Sequence, residues 1–165
     1  MATFSQLPSG KTRVQVRRKG LYRAATFETK REAKAWAAGI ESQANHIAAS
    51  GFAPIPKGVT VSDLIDKYSE TITKSPGRTK AATLEMFKRD LGKVKLSNLN
   101  AVVLRDFIDR REGQGAGGVT IAADLSYLSA VLKWARHARQ IDVNERLALG
   151  ARASLSHRGL NTRSQ

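Results

Sequence analysis

The apolar residues of this chain change period once, near residue 28, and do not change back. Over residues 11–18, Thr12, Val14 and Val16 alternate with Arg13, Gln15 and Arg17. Such an alternation puts three side chains on each face of a half-buried strand. Lys19-Gly20 follows as a hairpin turn in which glycine supplies positive φ. Residues 21–27 read as a second strand with Ala25 and Phe27 inward, and residues 4–7, ahead of Pro8-Ser9-Gly10, as a third. From Thr29 the spacing becomes helical. Thr29 and Glu32 form a capping box, and Ala33, Trp36, Ala37, Ile40, Ala44 and Ile47 make one stripe suited to cover the sheet. A small sheet followed by helices is an α+β chain: a three-stranded antiparallel sheet on one helix, then an all-α bundle of four helices.

Gly51, Pro54, Pro56 and Gly58 mark where the first module ends. Proline lacks a backbone donor and disfavours helix in the residue before it, so residues 51–59 read as a semi-stiff linker. The expected division is 1–50, linker 51–59, a helical module at 60–145 and a frayed tail at 146–165. In the second module a helix begins at Thr60, with Leu64, Ile65, Tyr68 and Ile72 inward. A second runs over about 79–91, with Leu84, Phe87 and Leu91 inward and Gly92 as its stop. A third starts near Asn100 and ends at Gly113. A fourth starts at Thr120 and carries Ile121, Leu125, Leu128, Leu132 and Ala135. Four short helices with short connections pack as a bundle.

The charge narrows the partners. Lys and Arg number 28 against 14 acids among 165 residues, a net charge of +14. Residues 1–58 are the most one-sided, with ten cations against three acids. An excess of this size speaks of phosphate polymers rather than of fold. There is no cysteine, hence no disulfide framework and no thiolate metal site. No apolar run approaches the roughly 20 residues of a membrane span. The expected location is cytoplasmic and nucleoid-associated, with no membrane partner.

Catalytic patterns are thin. Gly113-Gln114-Gly115-Ala116-Gly117-Gly118 matches the dinucleotide fingerprint by letter, but a helix precedes it where that motif needs a strand. It reads as an inter-helix loop. His46, His137 and His157 show no metal-ligand spacing. No cofactor, metal or small-molecule ligand is expected, and the residues argue for binding rather than catalysis.

The binding candidates fall in two groups. Arg13, Gln15 and Arg17 share a strand face that the helix leaves open, with Arg18, Lys19 and Arg23 adding local charge. A small sheet fits the major groove, where Arg pairs with guanine or phosphate and Gln with adenine. A plain solvated face is the alternative. In the helical module Arg78, Thr79, Lys80, Lys88 and Arg89 cluster on or before the second helix, while Thr120, Ser126 and Lys133 lie on the fourth. Helix N-termini there offer amides to phosphates. Aromatic residues do not interleave with the basic ones as a single-strand groove requires, so duplex DNA is preferred.

The order of these parts resembles the N-terminal half of phage-type integrases, the tyrosine recombinases. Arg13-Val14-Gln15-Val16-Arg17-Arg18-Lys19-Gly20 and then Thr26-Phe27-Glu28-Thr29-Lys30-Arg31-Glu32-Ala33-Lys34-Ala35-Trp36 look like an arm-type DNA-binding domain. Thr120-Ile121, Leu125, Leu128, Val131-Leu132-Lys133-Trp134-Ala135 and Asn144 look like the last helix of a core-binding domain. The resemblance implies that the sheet binds arm sites in the major groove. It implies that the bundle forms one jaw of a clamp on the core site, with self-association of protomers on DNA. Two departures stand out: Thr12 replaces a common Trp, and Glu145 replaces the Pro that usually follows Asn144. The family's catalytic domain, with its His-x-x-Arg box and nucleophilic tyrosine, is not expected here. Ala49, Gln140 and Leu160 stand three residues after the three histidines, where the box needs Arg. Two other readings stay open: a free-standing regulator that occupies integrase sites, and a basic module that docks an acidic protein.

Overall fold

The structure is a computed structural model that describes residues 1–163. Its chain divides into two compact units, the first Met1–Pro54 and the second from Ile55 onward. The fold is α+β: a three-stranded antiparallel sheet and then six α-helices.

In the first unit β1 (Ala2–Gln6), β2 (Thr12–Arg18) and β3 (Leu21–Phe27) form a meander with β2 in the centre. Helix α1 (Lys30–Ser50) lies across one face. The alternation in β2 decides which face: Val14 and Val16 are fully buried and Thr12 is nearly so. Ala33 and Ala37 meet them, and these small side chains let the helix approach the sheet closely. Phe27 and Trp36 close one end of this core with ring centres 5.6 Å apart. The Thr29 capping box is formed in both directions, with Glu32 N–H donating to the Thr29 hydroxyl and Thr29 N–H to the Glu32 carboxylate. Such a cap contributes about 1 kcal/mol.

The β2–β3 turn needs more left-handed backbone than one glycine. Both Lys19 (φ 48°) and Gly20 (φ 81°) have positive φ, as a two-residue type I′ turn requires. Lysine is poorly suited to that region, where Asn is tolerated. Lys19→Asn is expected to raise the first unit's stability by about 0.5–1 kcal/mol, read as a higher thermal midpoint. An unchanged or lower midpoint would show that the turn is not strained at this residue.

Among the described residues the second unit holds five α-helices: α2 (Val61–Thr71), α3 (Arg78–Leu91), α4 (Ala101–Gly113), α5 (Gly118–His137) and α6 (Leu147–His157). Helix α2 starts at a second capping box, Thr60 with Asp63. Helix α5 is the centre. Its Ile121, Leu125, Leu128, Val131 and Leu132 are buried together with Leu64, Ile65, Phe87, Leu104 and Phe107. The Phe87 and Phe107 rings stack at 4.9 Å. Within the glycine-rich stretch, residues 114–117 form the loop between α4 and α5, Gly113 ends α4 and Gly118 begins α5; a helix, not a strand, precedes it.

The expected four-helix module with a frayed tail is corrected here. Residues 147–157 form a helix packed on α5 and α4, with Ala148 and Leu155 buried. Its inward row is Leu147, Ala148, Ala151 and Leu155, and the two alanines allow close packing. Arg158, at the end of α6, donates to Asp109 and Glu112 of α4. Beyond it, Leu160 joins the core. The chain then crosses Gly118 so closely that a Cβ there would lie 2.3 Å from the Asn161 carbonyl oxygen. Gly118→Ala is therefore expected to cost about 1–3 kcal/mol and to raise hydrogen exchange in α6. Equal stability would show that residues 160–161 are not held against α5.

Candidate nucleic-acid interface

The open face of the sheet is set by strand register. Gln15 pairs with Thr3 and Ala24, Arg13 with Ser5 and Thr26, and Arg17 with Tyr22. Arg13 and Arg17 are exposed and Gln15 is half-buried. The long side chains of the central strand stand between small neighbours on both flanks, so Arg13 and Gln15 project clear of the sheet. Arg17 differs: its guanidinium carbon lies 5.0 Å from the Tyr22 ring centre, which steadies it at the turn end. Lys19 sits in the turn at that same end.

Two predicted residues do not join this face. Arg18 pairs with Leu21 and Arg23 with Val16, which puts both on the side that α1 covers. Arg18 Nε donates to Asn45 Oδ1 of α1 at 2.9 Å, and Arg23 Nη1 donates to the Tyr22 carbonyl at 2.9 Å. The two-residue strand period settles it: Arg18 is one step out of phase with Arg13, Gln15 and Arg17, and its pairing with Leu21 places it beside α1.

In the second unit, α3 and α5 border a groove of about 640 Å³. Arg78, Thr79 and Thr120 line it together. Arg78 is the first residue of α3, and α5 begins two residues before Thr120. Both helices start at glycines, Gly77 and Gly117, and neither N-terminus has a side-chain cap. A guanidinium and the residues Thr79 and Thr120 thus line one concave surface next to two uncapped helix starts, a set suited to phosphate oxygens.

The other predicted residues of this unit are spread apart. Lys80 Nζ donates to the Tyr68 hydroxyl at 2.5 Å. Lys88 is held by Asp66 at 2.7 Å and by Glu85 at 3.4 Å. The hydrogen bond that it donates to Asp66 keeps the Lys88 ammonium above its ordinary pKa, against the opposing effect of burial. Arg89 pairs with Asp90 at 3.1 Å. The Ser126 hydroxyl donates to the Ala122 carbonyl inside α5 at 2.8 Å. Lys133 is exposed, one residue before Trp134 and far along α5 from Thr120. None of these five lines the groove.

Sequence reasoning missed the groove's floor. Asp124 is buried and receives Arg111 Nε at 3.0 Å, with the Thr83 hydroxyl at 3.5 Å. Arg111 also donates to Gln114 Oε1 at 3.1 Å. Burial pushes the Asp124 carboxyl above its ordinary range, and the Arg111 charge and its hydrogen bond pull it back down. The signal was present: Asp124 interrupts the apolar stripe Ile121, Leu125, Leu128, and a carboxylate on such a stripe needs a buried partner. Arg111 carries the basic lining across to α4.

We found no match to the chain among protein-family models, curated proteins or solved structures. Among the described residues no helix is long and apolar enough to cross a membrane.

Proposed function

We propose that this chain binds double-stranded DNA sequence-selectively, as the non-catalytic N-terminal part of a phage-type integrase acting in DNA integration and recombination. The observation that carries the reading is the open sheet face, where Arg13 and Gln15 stand on the central strand between small flanking side chains and Arg17 lies against Tyr22. A major groove about 12 Å wide admits such a ribbon, Arg reading guanine or phosphate and Gln reading adenine. The α3–α5 groove is the second contact, taking phosphate at Arg78, Thr79 and Thr120. The first unit selects the sequence and the second adds backbone affinity. Catalysis belongs to another domain, and copies of the protein meet on the DNA.

Amide shifts on titration with duplex DNA test this. Movement is expected at Thr3, Arg13, Gln15, Arg17 and Ala24 of the sheet, and at Arg78, Thr79 and Thr120. Shifts confined to α1 and α6 would refute the assignment.

A further inference from the structure

The groove between α4 and α6 has a different chemistry from the DNA-facing surfaces. It encloses about 600 Å³ and its floor is apolar, built from Val102, Ile108, Leu147 and Ala151. Val102 is 53% exposed although it is a large aliphatic residue in the first turn of α4. Every ionisable residue that lines this groove is basic: Arg105, Arg146, His157 and Arg158, with no carboxylate. Arg105 and Arg158 already hold carboxylates of α4. The Arg146 guanidinium forms no ion pair among the described residues; the hydrogen bonds of this residue are made by its backbone, the amide donating to Asn144 Oδ1 and the carbonyl accepting from Gly150 N–H.

We propose that this groove docks an acidic amphipathic helix of a partner protein. An apolar trough with the unpaired Arg146 guanidinium at its rim selects a helix that has an apolar ridge flanked by Asp or Glu. Helix α6 has 11 residues, so the trough matches about three turns, or about 16 Å of a partner helix. Duplex DNA is a poor occupant, because it has no apolar ridge to cover Val102 and Leu147. A second copy of the chain is a poor occupant too. It brings a like charge of +14. Its acid-bearing α2, with Asp63, Asp66 and Glu70, turns its apolar residues Leu64, Ile65 and Tyr68 into its own core.

The test uses the full chain and a synthetic peptide of roughly 14 residues, with Leu at helical spacing and Glu at the other positions. A second peptide carries Lys in place of Glu. The acidic peptide is expected to shift the amides of Val102, Gly150 and Ala151, and to bind about tenfold tighter than the basic one. Arg146→Glu, at an exposed site, is expected to reverse that preference. Val102→Ser is expected to weaken both peptides and to leave the circular dichroism spectrum unchanged. Equal affinity for the two peptides, no binding of the acidic one, or shifts at other residues would each overturn the proposal. Displacement of the peptide from these residues by a DNA duplex would overturn it in favour of nucleic acid.

Discussion

Arg111→Met is expected to destabilise the helical unit by about 3 kcal/mol at neutral pH. Its side chain is 17% exposed and that of Asp124 is 6% exposed, so their ion pair is largely shielded from water. The methionine fills similar space but leaves the Asp124 carboxylate with only the Thr83 hydroxyl. Burial alone then pushes that carboxyl further up. A carboxyl raised in the folded state adds stability below its unfolded value, and that stability is lost as pH rises through the folded value. The variant's deficit is therefore expected to shrink as pH falls from neutrality toward about 4. Adding Asp124→Asn should recover part of the loss. Urea unfolding in a Trp36→Phe background, read by Trp134 fluorescence, measures the helical unit. A deficit below about 1 kcal/mol at every pH would show that the pair is screened like a surface one.

Replacing both Arg13 and Arg17 by alanine is expected to weaken binding to a selected duplex by about a hundredfold, since each lost base-edge contact is worth about 1–3 kcal/mol. Both side chains are exposed, so folding should be intact. Arg18→Ala is the matched control. It removes one charge, as each of those substitutions does singly, but from the helix-covered side where Arg18 meets Asn45, and should change affinity less than about threefold. Equal losses for Arg13→Ala and Arg18→Ala would reduce the sheet to a nonspecific charge and favour a basic module that docks an acidic protein.

The fold was legible where one local rule decided it. The alternation of Thr12, Val14 and Val16 placed the buried face of β2, and two capping boxes marked the starts of α1 and α2. The glycine run was readable as a loop because a helical stripe preceded it. What escaped depended on tertiary partners. Helix α6 mixes arginine, serine and glycine with the short inward row Leu147, Ala148, Ala151 and Leu155, and its packing also draws on the Arg158 tie to α4 and the close pass at Gly118. Arg18 and Arg23 were grouped with Arg17 by nearness in sequence, whereas strand register places them on the other side. Arg78, Thr79 and Thr120 were chosen on two separate helices and line one groove. Lys80 and Lys88 were chosen by the same reasoning and are engaged by Tyr68 and Asp66. Composition gives the number of cations, and only packing shows which have a partner.

A salt-dependent anisotropy titration tests the central claim most directly, comparing duplexes from sites flanking the gene that encodes the chain with a random duplex. A steep salt slope, of the order of several phosphates neutralised, is expected for both. At about 0.2 M salt the account expects markedly tighter binding to the flanking sites. Equal, weak binding to both duplexes would contradict sequence-selective recognition by the sheet and leave only nonspecific attraction to phosphate.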